Sequence, residues 1–367
     1  MHVGSAGKAE TVKQDIVRLT GVDFSTVTAA GDRLRATLPH SSFPAIAKLD
    51  LVQAIVPVEP VKLMNDVARE IIHSDIKING TAFKGKGQTI CVADTGFDLG
   101  NEHELPEPFK NRSVKLLAVT TRGKTDDPDG HGTHVCGSAV GDGKLRDGTR
   151  IEAAASRADL IVQSILATAK PEDGLAPPLR LTILLDIPYK MGARVHTNSW
   201  GTSRVGVPYN QSSRDLDEFV YGHKDLVVCF AAGNSGFDAT GAARSNGPDG
   251  VVDLGQIGAE AIAKNIISVG ASESERPNVA WPDSTYNVWK SKFPNATLRK
   301  QHFANSSEDM AAFSSRGPAL PDWKDKTHHR IKPDIVAPGT AILSTRSRHR
   351  LVRAQKGFGP SPDPDWM

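Results

Sequence analysis

The 367-residue chain is long enough to bury a sizeable core and to carry one smaller unit beside it. Its 44 basic and 42 acidic residues leave a net charge of +2, which is too small to indicate binding to nucleic acid or to a membrane surface. Hydrophobic residues make up 39% of the sequence, and no apolar run approaches the ~18–20 residues that would cross a bilayer. We therefore expect a globular protein, and we expect it to be a monomer.

Three cysteines, Cys91, Cys136 and Cys229, each lie in an apolar stretch and are predicted to be buried free thiols. The amino terminus, MHVGSAGKAETVKQD, shows no apolar segment typical of a signal peptide. The sequence therefore leaves the cellular compartment open.

Residues 1–63 are predicted to form a small α+β unit. Two of its segments have hydrophobic residues near helical spacing, and three others alternate or run apolar like strands. The predicted elements are helices at Glu10–Thr20 and Ser42–Leu49 and strands at Thr26–Ala29, Asp32–Leu38 and Val52–Val58.

Residues 64–367 are predicted to form an α/β domain with a doubly wound parallel sheet and helices on both faces. Apolar runs such as Thr89–Ala93 indicate strands buried on both faces, and helical patterns alternate with them. Ligands of such sheets bind beyond the carboxyl ends of the strands, where Asp94, Asn198 and Asn234 are placed. The predicted strands are Thr89–Ala93, Leu160–Ile165, Val195–Asn198, Leu226–Ala232 and Asn265–Gly270, and the predicted helices are Leu179–Met191 (kinked or ended by Pro188), Leu216–His223 and a short piece at Ala259–Lys264.

The segment Asp126–Gly137 (DDPDGHGTHVCG) carries two histidines three residues apart. Glycines on both sides of His131 leave its ring open to close approach, and small apolar residues after His134 predict a helix that enters the core. An imidazole at a helix N-terminus could act as a general base near neutral pH. One alternative is a structural histidine. Another is a metal-binding H-x-x-H pair, although helical zinc pairs usually stand four apart with a glutamate between them.

Other segments of the chain resemble those of the subtilisin-like serine proteases, the subtilases, in which the aspartate also precedes the histidine. They are QTICVADTG at Gln88–Gly96, NSWG at Asn198–Gly201, AAGNSG at Ala231–Gly236, FSSRGP at Phe313–Pro318 and IKPDIVAPGT at Ile331–Thr340. The stretches around these motifs are most similar to the oxidatively stable alkaline-protease branch. The resemblance implies a serine endopeptidase with an Asp–His–Ser triad and with protein or peptide substrates.

The resemblance also assigns roles to individual residues. Asp94 would orient the His131 ring and stabilise its imidazolium, and the side chain of Asn234 would donate to the oxyanion of the tetrahedral intermediate. From the residues alone, Asp94 could instead cap a strand end, Asn234 could occupy a left-handed turn, and Trp200 could belong to the core. The residues assigned to substrate binding are Ser199, Trp200, Gly201, Ala232 and Gly233.

The family's nucleophile lies in a G-T-S-M-A motif after the P-G-T segment, and the sequence reaches Met367 without that motif. Ser203, in Gly201–Thr202–Ser203, is not followed by a small-residue helix, so we predict a loop serine there. One hypothesis is an endopeptidase whose sequence is cut just before its serine, so that residues 1–367 are inactive. The other is a catalytically inactive fragment that binds peptides or a protease.

A small α+β unit ahead of a subtilase body is similar to the family's propeptide, an inhibitor and folding chaperone. The tail of residues 1–63, Val56–Leu63, is then expected to lie along the substrate cleft near His131 and Ser199. An ordinary accessory domain is the alternative. The chemistry requires no cofactor, but the resemblance makes structural calcium possible, with the carboxylates of Asp126–Asp129 or Asp249–Asp253 as candidate ligands.

Overall fold

The structure is a computed structural model, and it describes residues 2–3, 8–30, 33–36, 38–55, 64–75, 77–202, 206–238, 247–275, 284–319, 330–354 and 366. The chain divides into two compact units, Met1–Val61 and Lys62–Met367, close to the predicted boundary between residues 63 and 64. No helix of the described residues combines the length and the apolar character needed to cross a membrane.

The first unit has a core between two helices and a four-stranded antiparallel sheet of order β2-β3-β1-β4. Its elements are β1 (His2–Val3), α1 (Ala9–Thr20), β2 (Thr28–Ala30), β3 (Arg33–Arg35), α2 (Phe43–Ile46) and β4 (Val52–Ala54). The prediction of a helix over Glu10–Thr20 is confirmed, and the predicted helix Ser42–Leu49 is shortened to α2 after a 3₁₀ turn at His40–Ser42. The tail Val56–Leu63 lies outside the described residues, so its expected position along the cleft and the propeptide role stay predictions.

The second unit contains a seven-stranded parallel sheet of order β15-β14-β13-β12-β7-β11-β8. Two small antiparallel pairs, β5 with β6 and β9 with β10, lie outside this sheet. The strands of the unit are β5 (Lys77–Ile78), β6 (Thr81–Ala82), β7 (Thr89–Asp94), β8 (Val114–Ala118), β9 (Asp142–Lys144), β10 (Arg150–Glu152), β11 (Asp159–Ser164), β12 (Val195–Asn198), β13 (Val227–Ala231), β14 (Ile267–Ser272) and β15 (Ile335–Pro338). Its helices are α3 (Met64–Ile71), α4 (His131–Val140), α5 (Leu181–Lys190), α6 (Gln211–Gly222), α7 (Ala296–Arg299) and α8 (Arg350–Ala354).

Helices cover both faces of the large sheet. Successive residues of a strand point to opposite faces, and in β7 the side chain of Val92 lies in a core cluster with Cys136 of α4. The next residue, Ala93, lies in a different cluster with Leu184 of α5. The predicted α/β class, a parallel sheet with helices on both faces, is therefore confirmed.

The structure differs from the sequence prediction in several elements. The predicted helix at Ala259–Lys264 is wrong, because these residues form turns. The carboxylate of Asp217 in helix α6 accepts hydrogen bonds from the backbone N–H groups of Lys264 and Asn265, both at 2.7 Å. In the predicted helix, the N–H of Lys264 would instead have bonded within that helix. Helix α6 itself begins at Gln211, five residues before the prediction, because Asn210 caps it.

Two further differences concern a proline and two strands. Pro188 lies in the last turn of α5, which continues to Lys190, so the proline does not end the helix. Strands β8 and β15 were not predicted, and they form the two edges of the large sheet. Lys115 interrupts the apolar residues of β8, and β15 is a short, partly exposed strand that ends in Pro338, a residue confined to edges and strand ends.

Candidate active site

The carboxyl ends of three neighbouring strands bring the predicted site residues to one edge of the sheet. In the register of β7, β12 and β13, Asn198 pairs with Ala93 on one side and with Phe230 on the other. Asp94 is therefore level with Ser199, and the Ala232–Asn234 loop leaves from the next strand. Neighbouring strands lie about 4.8 Å apart, so these chain segments lie side by side at this edge of the sheet.

Asp94 and His131 form a direct side-chain pair. The Nδ1 atom of His131 lies 2.7 Å from Oδ1 of Asp94, and the backbone N–H of Thr95 donates to the same oxygen at 2.8 Å. Asp94 is buried, whereas the His131 side chain remains 46% exposed. The His131 Nε2 atom has no hydrogen-bond partner among the described residues and is open to a reactant. The pair thus has the geometry of an orienting carboxylate and a general base.

The charge of Asp94 controls the protonation of this histidine. Its carboxylate raises the pKa of His131 from 6.5 to about 9, because the imidazolium is stabilised by an adjacent anion. Burial of the ring acts in the opposite direction, and the nearby carboxylates of Asp129 and Asp127 add to the increase. The neutral imidazole, which is the form that accepts a proton, is therefore favoured only at alkaline pH in the free protein.

A buried carboxylate, Asp127, joins the Asp94 turn to the start of α4. Its Oδ1 accepts hydrogen bonds from Oγ1 of Thr95 and from the N–H of Gly130, both at 2.8 Å. Its Oδ2 accepts the N–H of Thr133 at 2.8 Å and the Thr133 hydroxyl at 2.6 Å. Burial raises the pKa of Asp127, and the four donors act against that rise. The carboxylate satisfies N–H groups of the first helical turn and joins the segments that carry Asp94 and His131.

Two glycines allow the strand end and the helix start to touch. A Cβ atom at Gly132 would lie 2.4 Å from the backbone oxygen of Gly96, and Gly96 itself has a φ of +139°. The flanking glycine on the other side, Gly130, has a φ of +95° at the N-cap position. The glycines beside His131 therefore serve backbone approach, in addition to leaving the ring uncovered.

Gly132→Ala is expected to lower the free energy of unfolding by about 1–3 kcal/mol, because backbone atoms of Gly96 would have to move away from the new methyl group. Thermal unfolding of residues 1–367 measures the effect. Gly222→Ala is the matched control, since a Cβ atom there meets nothing within 4 Å. Equal unfolding temperatures for the wild-type chain and Gly132→Ala would contradict the close approach.

The second histidine of the H-x-x-H pair has a different task. The Nε2 atom of His134 lies 3.1 Å from the carbonyl oxygen of Ile342, and its own carbonyl accepts the Ser344 hydroxyl at 2.8 Å. Among the described residues, no group of three or more histidine, cysteine or acidic side chains is arranged to hold a metal. His131 is instead paired with Asp94, so the geometry favours the general-base interpretation over the metal pair.

The predicted substrate-binding residues lie on two adjacent loops. Ser199 and Gly201 follow β12, and between them Trp200 stacks edge-on against Phe230 at 5.2 Å. Trp200 therefore belongs partly to the core, which was the alternative to its assignment as a substrate-binding residue. The Thr202 backbone N–H donates to Glu260 at 2.8 Å, which anchors the end of this loop. Ser203 lies outside the described residues.

The loop after β13 carries Ala232, Gly233 and Asn234. Ala232 is buried, Gly233 has a φ of +111°, and the Asn234 side chain is exposed without a hydrogen bond to any described residue. The backbone oxygen of Gly233 accepts the N–H of Ser315 at 2.9 Å, and the Asn234 carbonyl accepts Nζ of Lys292 at 2.7 Å. The loop is thus held by its backbone while the Asn234 amide stays available.

Sequence reasoning missed two residues, distant in sequence, that form hydrogen bonds with the segments on either side of His131 and Asp94. Arg348 donates to both carboxylate oxygens of Asp98, at 2.7 Å from its backbone N–H and 2.6 Å from Nη2, and the Ser347 hydroxyl donates to the Asp127 carbonyl at 2.9 Å. These partners are more than 200 positions apart in the sequence, and no local pattern connects them. Asp127 itself was considered only as one of several carboxylates in a candidate calcium loop.

The model of the subtilase family matches residues 85–359. The serine protease/ABC transporter B family protein tagB of Dictyostelium discoideum is 29% identical over 336 residues, which cover 76% of this chain and 16% of that protein. Serine protease AprX of Bacillus subtilis (strain 168) is 27% identical over 304 residues, which cover 80% of this chain and 55% of that protein.

The chain thus spans only 16% to 55% of the length of these two curated relatives. Among solved structures, the CspB protease of Clostridium perfringens aligns with a TM-score of 0.47 at 14% identity, over 80% of this chain and 83% of that one, a likeness too weak to bear on function. The family match extends over most of the chain and includes Asp94, His131, Ser199 and Asn234. On that evidence, the chain belongs to the subtilase family.

Proposed function

We propose that the protein is a serine-type endopeptidase that cleaves protein or peptide substrates by acyl transfer, and that it acts as a monomer. The observation that carries the proposal is the 2.7 Å contact between Oδ1 of the buried Asp94 and Nδ1 of His131. This contact leaves Nε2 of His131 as the proton acceptor on the open side of the ring, where a nucleophile and a substrate would lie.

In the proposed reaction, Nε2 of His131 takes the proton of a serine hydroxyl as its oxygen attacks the scissile carbonyl. The resulting imidazolium is stabilised by Asp94, and it gives the proton to the leaving amine as the acyl-enzyme forms. Water then repeats the sequence, losing a proton to His131 and releasing the acid and the serine. The serine is not assigned to any residue of the present sequence, because the G-T-S-M-A motif is absent from it.

Asn234 and the two loops supply the rest of the proposed site. The Asn234 amide would donate to the oxyanion, a contribution that is typically about 2.7–4 kcal/mol for one such donor; that figure was measured on subtilisin, a member of this family. The backbones of Ser199–Gly201 and Ala232–Gly233 would bind the substrate as an added strand, with Trp200 closing one wall. The support for these roles is the exposed amide of Asn234 and the placement of both loops at the carboxyl ends of β12 and β13.

Residues 1–367 are expected not to react with a fluorophosphonate probe, because no serine of this sequence has the motif of the activated nucleophile. Intact-protein mass spectrometry measures the labelling. Stoichiometric labelling at Ser203 would contradict the assignment of that residue as a loop serine.

Hydrolysis of a protein substrate distinguishes the two hypotheses for the natural protein, an active endopeptidase and an inactive peptide-binding fragment. The product of the natural gene, purified from its source cells, is expected to cleave a denatured protein substrate and to lose this activity after fluorophosphonate treatment. A natural product that binds the substrate without cleaving it would instead support the inactive peptide-binding fragment.

The proposal of structural calcium has less support at the loop Asp126–Asp129 than beside the loop Asp249–Asp253. In the first loop the carboxylates already have protein partners: Arg122 for Asp126, four donors for Asp127 and the His131 N–H for Asp129. Beside the second loop, Asp238 is fully buried and its Oδ1 has no hydrogen bond, although its Oδ2 accepts the Gly250 N–H at 2.9 Å. A calcium ion at this oxygen would need further oxygen ligands from the second loop, because no group of three or more acidic side chains in the described residues is arranged to hold a metal.

Removal of calcium is expected to lower the unfolding temperature of residues 1–367, and added calcium is expected to restore it. Differential scanning calorimetry with and without EDTA measures the change. Asp238→Asn is expected to abolish the calcium dependence, whereas an unfolding temperature indifferent to EDTA would contradict the proposal.

A further inference from the structure

A cavity of ≈ 420 Å³ lies in the second unit and does not include Asp94, His131 or Asn234. Apolar side chains form much of its wall: Val252, Leu298, Met310 and Ala312. Leu298 belongs to helix α7 and packs in a core cluster with Tyr286, so this wall is part of the folded core of residues 284–313. A cavity of this size could hold a small molecule or a side chain.

Arg316 lines the cavity, and the donors of its guanidinium are only partly used. Nη1 of Arg316 donates to the carbonyl oxygens of Ala311 and Ser314, at 3.1 and 2.6 Å. Within the part of the chain that the structure describes, Nε and Nη2 donate no hydrogen bond, and Arg316 belongs to no ion pair. Burial lowers the pKa of Arg316 because the charge is partly removed from water without a counter-ion. A half-buried cation with unused donors favours an anionic ligand.

The acidic residues at the cavity do not neutralise this arginine. Glu273 is 4% exposed, and its Oε1 accepts the Tyr286 hydroxyl at 2.6 Å while its Oε2 accepts the Asn305 N–H at 3.4 Å. Burial also raises the pKa of Glu273. Asp309 lies on the rim with its side chain exposed to water. Neither carboxylate makes an ion pair with Arg316, so the free donors of the guanidinium remain open to a ligand.

We propose that this cavity is a binding site for the carboxylate of a peptide, with Arg316 as the anion-binding residue. A guanidinium presents two parallel N–H groups that match the two oxygens of a carboxylate. The apolar wall would receive the side chain or methylene groups next to that carboxylate. The same chemistry is offered by a C-terminal carboxylate and by an aspartate or glutamate side chain, and the experiment below separates these sources.

The site adjoins the loop that carries Asn234. Ser315, the residue before Arg316, donates its N–H to the Gly233 carbonyl, and its hydroxyl accepts the Ser235 N–H at 3.0 Å. A ligand bound to Arg316 would therefore lie one residue away from the contacts that hold this loop. The proposal does not rest on the proposed peptidase function, because it concerns binding to a separate group of residues.

Binding of small peptide-like acids to residues 1–367 tests the proposal, measured by nuclear magnetic resonance titration. N-acetyl-leucine presents a C-terminal carboxylate, N-acetyl-glutamic acid α-amide presents a side-chain carboxylate, and N-acetyl-leucinamide presents none. At least one of the two acids is expected to bind at least about tenfold more tightly than N-acetyl-leucinamide, because only an acid gains the charge-assisted bonds. The acid that binds more tightly shows whether the site prefers a C-terminal carboxylate or a side-chain carboxylate. Equal affinities for acids and amide, or no binding by any of them, would overturn the proposal.

Variants locate the site. Arg316→Gln is expected to weaken binding of the preferred acid at least about tenfold, and Lys300→Gln, which removes an exposed positive charge two residues after Leu298, is expected to leave binding unchanged. Met310→Trp fills the cavity while retaining Arg316 and its carbonyl contacts, so it tests the site even if Arg316→Gln does not fold. Unchanged affinity in Met310→Trp, or an equal loss in Lys300→Gln and Arg316→Gln, would overturn the proposal.

Discussion

His131→Ala is expected to lower kcat for peptide hydrolysis by about 10⁴- to 10⁶-fold in the catalytically competent natural protein, with KM changed little. In the proposed mechanism, the open Nε2 of His131 takes the proton from the nucleophile and returns it to the leaving amine, so its loss would act on the transition state and not on substrate binding. Steady-state kinetics on a fluorogenic peptide measure both constants.

The control for this variant is His103→Ala, which removes an exposed histidine outside the pair. It is expected to retain the wild-type kcat. An unchanged kcat in His131→Ala would remove this residue from the mechanism, whatever the effect on stability.

Asp94→Asn is expected to lower kcat by about 10⁴-fold, again with a small change in KM. The amide cannot stabilise the imidazolium as the carboxylate does, and it can favour the wrong tautomer by donating a hydrogen bond to Nδ1. Asp186→Asn, which removes a surface carboxylate paired with Lys190 on helix α5, is the control and is expected to change kcat little. A fall of less than tenfold in Asp94→Asn would contradict the orienting role.

The pair also predicts how activity depends on pH. Because the folded-state pKa of His131 is raised, its neutral, proton-accepting form becomes populated only as the pH rises through about 9. The value of kcat/KM is therefore expected to increase across this alkaline range, since it reports the essential base of the free enzyme. The same raised pKa stabilises the folded chain below pH 6.5, and this contribution is lost as the pH rises through about 9.

Much of the fold could be predicted from local patterns. The apolar run before Asp94 predicted β7, and the small apolar residues after His134 predicted α4, because a central strand and a buried helix both need such side chains along their length. The elements that the sequence did not predict, or predicted wrongly, depend on contacts with residues far away in the sequence. The turns at Ala259–Lys264 exist because Asp217 of α6 binds their backbone, and no window around residue 260 contains that information.

The same distinction applies to the candidate site. Asp94 and His131 could be identified because each lies in a short segment with its own chemistry, and their contact joins positions 37 apart. The role of Asp127 could not be predicted, because a run of aspartates resembles a solvated turn until its four donors are placed around it. Lys292 and Arg316 were not identified for a similar reason, since their contacts depend on carbonyl groups and a cavity formed by tertiary packing.

The central claim is that Asp94 orients and charges His131 as the general base of a peptidase. Titration of the His131 imidazole tests this claim most directly. It can be followed by nuclear magnetic resonance on residues 1–367 and does not depend on activity. The account predicts a pKa of about 9 in the wild-type chain and a marked fall in Asp94→Asn toward the ordinary value of 6.5. The same pKa in both proteins, close to 6.5, would contradict the claim.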